Sequence, residues 1–168
     1  MKWSNGLLWG LIAGLAVGII TAAMSYMEVR AMWHELLNYT YQVAYSEMVK
    51  AGIPPTQAEK LASVSVEHVK GWLIPSAIAG SVVGSVIIYV IVGVIMAAVW
   101  EKLKMPWYAK GALFSIALLA VFYLPSLLVK PPPDLPQPPK PPVMYSVGRM
   151  VVEFVGPLIL AWLLNRSK

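Results

Sequence analysis

The chain has 168 residues, 58% of them hydrophobic and only 12% charged, with a formal net charge of +5 and no cysteine. Soluble domains carry about a quarter charged residues, so the composition excludes an ordinary globular protein, and the length allows one small bundle. The lack of cysteine excludes thiolate metal centres, iron–sulfur clusters and disulfide relays, while basic residues grouped at predicted membrane ends point to anionic lipid headgroups and not to nucleic acid.

Residues 6–27 carry no charge. A helix rises about 1.5 Å per residue, so roughly 20 apolar residues cross the hydrocarbon core and this run predicts a first span. It is longer than a signal-peptide core, and Thr21-Ala22-Ala23-Met24 makes a poor cleavage site, so it reads as a retained helix. Gly6, Gly10, Gly14 and Gly18 recur every four residues and Ala22 continues them. Such a stripe lets another backbone approach closely. Its expected partner is either a second copy or the similar stripe at Ser76, Gly80 and Gly84, with Gly93 and Ala97 further along.

Residues 28–70 hold five acids and four bases and predict an outer helical segment. Met32, Trp33, Leu36, Leu37, Val43, Ala44 and Met48 recur at near-helical spacing, and Gly52-Ile53-Pro54-Pro55 ends that helix. Thr56 and Glu59 have capping-box spacing, so a second helix should start near Gln57. Pro75 should kink it or begin a new one. The second span lies at about 74–100, inside the charge-free run 71–100. A basic turn follows, then a third span at 111–129.

Residues 131–142 contain eight prolines in twelve, which predicts an extended outer loop over 130–142, either joining distant helices or lying across the outer face. The fourth span, about 143–164, is interrupted by Arg149 and Glu153. Trp3, Trp72, Trp100, Trp107 and Tyr108 fall near span ends, where amphipathic rings settle. Lys2, Lys102, Lys104, Lys110, Arg166 and Lys168 share one face with a single acid, Glu101. Lys130, Asp134 and Lys140 join the opposite face. The positive-inside rule then predicts a multi-pass plasma-membrane protein with both termini cytoplasmic.

Ionisable residues inside a span are costly and mark functional sites by default. Arg149 and Glu153 are i,i+4 on one face, close enough to pair. Pro157 has no N–H for the Glu153 carbonyl four residues back, so a carboxylate and a freed carbonyl arise from one residue. Oxygen groups of that kind suit hard cations or protons; the competing reading is a snorkelling arginine with a satisfied partner and a simple kink. Glu28, His34, Glu35, Glu67 and His68 are candidate metal ligands on the outer side by residue type, although their spacing matches no strong metal motif and a solvated helix face is the alternative. No hydrolase serine motif, phosphate loop, dinucleotide fingerprint or zinc-protease signature occurs, so neither an enzyme nor a cofactor is expected.

Three stretches resemble the CbtA-type family of cobalt transporter subunits: Gly6-Leu7-Leu8-Trp9-Gly10-Leu11-Ile12-Ala13-Gly14-Leu15; the turn Lys102-Leu103-Lys104-Met105-Pro106-Trp107; and Leu124-Pro125-Ser126-Leu127-Leu128 followed by Pro132-Pro133-Asp134-Leu135-Pro136. The resemblance implies a cation-transport subunit. Its departures are a shorter chain with fewer spans and an outer segment with two histidines where the family's is rich in them.

The combined expectation is an all-α polytopic membrane bundle forming a single domain over 1–168: four transmembrane helices, with an extracytoplasmic helical segment between the first and second. The expected function is a small transport-related subunit for a cation, with a divalent metal among the candidates. A bundle this small implies a homo-oligomer or a partner membrane subunit. The alternative is a non-catalytic accessory or scaffold subunit that assembles with partner membrane proteins.

Overall fold

The computed structural model describes residues 3–128 and 136–167; the expectations placed on Lys2, Lys130, Asp134, Lys168 and residues 129–135 lie outside them. Among the described residues every regular element is helical: α1 (Trp3–Ala31), α2 (Trp33–Lys50), α3 (Pro55–Val99), α4 (Trp107–Leu128) and α5 (Val143–Arg166). Within α1, α3, α4 and α5 lie stretches long and apolar enough to cross a membrane.

Their packing is inverted relative to a soluble protein. The buried face of α1 is Gly6, Gly10, Ala13, Gly14, Val17, Gly18, Ala22 and Ser25, while Leu7, Leu8, Leu11, Ile12, Leu15, Ile19 and Ile20 point outward. Water would force the large side chains in. Lipid tails are as apolar as leucine, so the helices instead join through their smallest residues and leave the bulky ones in hydrocarbon.

The glycine face of α1 lies on the C-terminal half of α3. A Cβ on Gly10 would sit 2.5 Å from the Tyr89 carbonyl oxygen, one on Gly14 2.8 Å from Val86 Cα, and one on Gly18 3.1 Å from Val82 Cα. Gly6 faces the Gly93 carbonyl and Ala97. On α3 the contact therefore runs through Gly93 and Ala97. Gly80 and Gly84 do not take part, and nothing lies within 4 Å of where their Cβ atoms would be.

Only a short break at Met32 separates α1 from α2, and the bond from Met32 N to Glu28 O (3.0 Å) bridges it. The chain then turns back through Gly52, whose φ of 85° suits a residue without a Cβ. Gly52 N donates to Val49 O (3.0 Å) and Ile53 N to Met48 O (3.1 Å), a Schellman closure. Helix α3 starts at Pro55, and no side-chain cap bond forms at its N-cap, Pro54. Proline is suited to the first helical position because its missing N–H has no partner there, so the Thr56 capping box is not used. No new helix begins at Pro75: α3 runs unbroken for 45 residues, roughly 66 Å, about twice the hydrocarbon thickness. Its first half and α2 pack together outside the span, with Ala58 and Ala62 fully buried.

Helices α4 and α5 form a second hairpin, which docks on α1 mainly through α5 and touches α3 little. The Asn5 side-chain amide donates to the Ser167 carbonyl (3.4 Å), so the first and last helices end on the same face. There Lys110 is buried. It bonds the Trp100 carbonyl just beyond α3 and sits 4.3 Å from the Trp100 ring centroid. A cation at this position satisfies a helix C-terminus, so one residue of the expected basic face serves inside the bundle. Residues 136–142 carry no helix, and Pro139 and Gln137 line a recess with Glu35, Asn38, Tyr39 and Gln42 of α2. The described part of the proline segment thus lies beside α2.

Candidate functional site

Between α1, α3 and α5 lies an open cavity with polar and charged side chains on its wall. Its outer chamber, about 390 Å³, lies between α1, α3 and α5 and is lined by Ser25, Glu28, Ser76, Ser81 and Arg149, with Pro139 at its rim. A deeper chamber of about 180 Å³ shares Ser25, Ser81 and Arg149 with it and adds Thr21, Ser85 and Glu153. Gly80 lines both chambers and Gly84 the deeper one; their missing side chains leave that room.

Arg149 and Glu153 are both in the cavity, but the arginine's ion pair crosses between helices. Arg149 Nη2 donates to Glu28 Oε2 at 2.6 Å and to Ser25 Oγ at 3.1 Å. Glu28, assigned from sequence to an outer metal site, is the arginine's counterion. The pair is partly buried, with side-chain exposures of 40% for Arg149 and 16% for Glu28. The reason is geometric: Glu28 ends a stripe of polar residues on α1, after Thr21 and Ser25, which meet hydroxyls of α3, and Ser25 and Glu28 also meet Arg149 of α5.

A directional hydrogen-bond chain starts at the guanidinium. Because arginine only donates, Ser25 Oγ accepts from it and turns its own proton to Ser81 Oγ (2.7 Å), which donates onward to the Ala77 carbonyl (2.8 Å). One turn deeper, Thr21 Oγ1 and Ser85 Oγ are 3.3 Å apart.

Glu153 is left without the cation expected for it. It lies ten residues into the 24-residue α5, roughly 15 Å along the helix from its N-terminal end. One carboxylate oxygen takes a hydrogen bond from Tyr123 of α4. The other, Oε2, is buried with no hydrogen-bond partner among the described residues. Tyr89 of α3 is 2% exposed, its hydroxyl packed against Gly156 where any Cβ would collide. Beneath it the core of Met96, Trp100, Leu160 and Leu164 is apolar and closed. Pro157 is fully buried, and the Phe154 carbonyl beside the proline break accepts from Ser115 of α4 at 2.6 Å.

The other outer candidates are dispersed. Glu35 faces the proline segment. His34 lines a separate recess with Arg30, Trp33 and Ile74. Glu67 is paired with Lys70 one turn away, and His68 is exposed. Among the described residues no three His, Cys, Asp or Glu side chains gather where they could hold a metal ion. What sequence reasoning missed is the hydroxyl lining. Thr21, Ser25 and Glu28 on α1, and Ser81, Ser85 and Tyr89 on α3, recur at three- or four-residue spacing within apolar runs, the pattern of polar groups facing one another between membrane helices.

Four helices long and apolar enough to cross a membrane, three of them lining a cavity with ionisable residues, define a polytopic α-helical integral membrane protein. Compared with family models, with curated proteins and with solved structures, the chain matches none.

Proposed function

We propose that this protein is a cation-transport subunit in which an outward-facing cavity brings a cation to Glu153. The observation that carries this reading is a half-buried carboxylate, with one oxygen out of contact with solvent and without a hydrogen-bond partner, lining a chamber whose arginine is already paired with Glu28. With Glu28 and Arg149 cancelling, the remaining formal charge is that of Glu153. A half-buried carboxylate with one oxygen unbonded carries a cost that a bound cation relieves. The apolar plug of Tyr89 and the core beneath it corresponds to the closed side of an alternating-access cycle. The CbtA-type resemblance points to the same broad class.

The same reading places the termini and Lys102, Lys104 and Arg166 in the cytoplasm, at the plasma membrane, and the α2–α3 hairpin outside. A second role is supported by one feature. Ser76, Gly80 and Gly84, which leave the room of the cavity, would also admit a helix of a second copy or of a partner subunit, which would then occupy the cavity in place of a cation. The role is one of transport or assembly, not catalysis.

The test is flux into phosphatidylcholine vesicles holding the purified chain, using sodium, cobalt(II) and a primary alkylammonium as cations. Glu153→Gln keeps the shape of the side chain and removes its charge. Uptake of at least one cation is expected to fall tenfold or more in this variant. Equal uptake of all three by both proteins would remove the transport reading.

A further inference from the structure

We infer that the cation accepted by this cavity is amphipathic, an ammonium group on an apolar body that enters from the bilayer; this rests on the transport reading above. The first ground is the donor set. A hard metal cation is held by six or more oxygens, and transition metals by several imidazole, carboxylate or thiolate groups. The deeper chamber is lined by one carboxylate beyond the Glu28–Arg149 pair, that of Glu153, and by a few hydroxyls already engaged with one another, and no metal-binding group of three is formed among the described residues. An ammonium needs only a counterion and a few acceptors.

The second ground is what adjoins the chamber. Ile88 lines it and also lines a groove of about 310 Å³ between α3 and α4, whose walls include Ile91, Ile95, Phe114 and Phe122 and carry no polar side chain. The groove opens to the surroundings of the bundle: Ile91 is 53% and Ile95 49% exposed. Polar chamber and apolar groove therefore meet at one side chain, with the polar part toward the outer face and the apolar part toward the inner. An amphiphile of the outer leaflet has the same polarity order along the membrane normal.

The energetics favour such a ligand. Its tail gains nothing by moving from lipid into the groove, since both are hydrocarbon, but it loses nothing either. The charged end reaches Glu153 without drawing the tail through water. A small hydrated ion has to shed its hydration shell for a single carboxylate. The groove thus acts as a filter for shape, and Glu153 as the filter for charge.

The experiment measures equilibrium binding of octylammonium to the full chain in dodecyl maltoside, with sodium, cobalt(II) and octanol as competitors. Saturable binding is expected, weakened at least tenfold in Glu153→Gln and unaffected by equimolar competitors. Ala117 lies on the exposed side of the groove, so Ala117→Phe fills the groove without entering the core. It is expected to weaken octylammonium at least fivefold, and it reports even where Glu153→Gln is less stable. Equal binding by wild type and Glu153→Gln, or by wild type and Ala117→Phe, overturns the inference. Glu153-dependent uptake of sodium or cobalt(II) without Glu153-dependent octylammonium binding overturns the inference alone and leaves transport standing. Loss of every Glu153-dependent flux removes both.

Discussion

Gly10→Leu is expected to break the α1–α3 interface and with it the bundle. The backbone of Tyr89 and Val90 occupies the place of the new side chain, with the Tyr89 carbonyl oxygen 2.5 Å from the first added atom. Overpacking a core normally costs about 1–3 kcal/mol when side chains can yield; here the obstacle is main chain, so the cost lies at or beyond the top of that range. Heating the detergent-solubilised protein should show a much lower midpoint, with loss of the monodisperse peak on gel filtration. Gly84→Leu is the control. It adds the same volume to an α3 position with nothing within 4 Å, and stability should hold. A reversed ranking would place the α1 partner on the wrong face of α3.

The second large effect concerns the pair that crosses from α1 to α5. Glu28→Gln leaves Arg149 partly buried without its counterion. Removing one member of a buried pair costs about 3–5 kcal/mol, and the partial exposure of Arg149 reduces this to roughly half. Arg149→Gln strands Glu28 in the same way. The double variant, with both charges gone, should be more stable than the sum of the singles predicts, with a coupling of about 1–3 kcal/mol. Chemical unfolding in detergent of the four proteins measures it. Strict additivity would show that the guanidinium and Glu28 do not interact, and a coupling of Arg149 to Glu153 instead would restore the pairing within α5.

The spans were legible because lipid makes charge-free runs compulsory. Residues 6–27 lie within α1, and 71–99 of the run 71–100 within α3, and the fourth span was readable despite Arg149 and Glu153. The glycine register in α1 was equally plain, since backbone proximity has few sequence solutions. What escaped reading depends on how helices face one another. Pro75 removes one amide from a long helix, and packing against α1 and α2 holds that helix together, so no local rule could decide its continuity. Spacing within α5 favoured an Arg149–Glu153 pair, yet the arginine is long enough to reach α1, and a carboxylate there competes for it. The deep chamber was unreadable for the same reason: it is bounded by Thr21, Ser85 and Glu153 from three helices, which no single helix's spacing brings together. The polar stripes on α1 and α3 were the available signal, and matching them across the two spans would have located the site.

The absence of native cysteine makes the most direct test simple. Single cysteines replace Ser81 in the cavity, Lys140 in the proline segment and Lys104 in the turn between α3 and α4, and sealed right-side-out vesicles are treated with a small membrane-impermeant cationic thiol reagent. An outward-facing polar cavity predicts modification of Ser81→Cys and Lys140→Cys from outside, and of Lys104→Cys only after the membrane is permeabilised. Reaction at Lys140→Cys with Ser81→Cys untouched would mean that water and cations do not reach the chamber above Glu153.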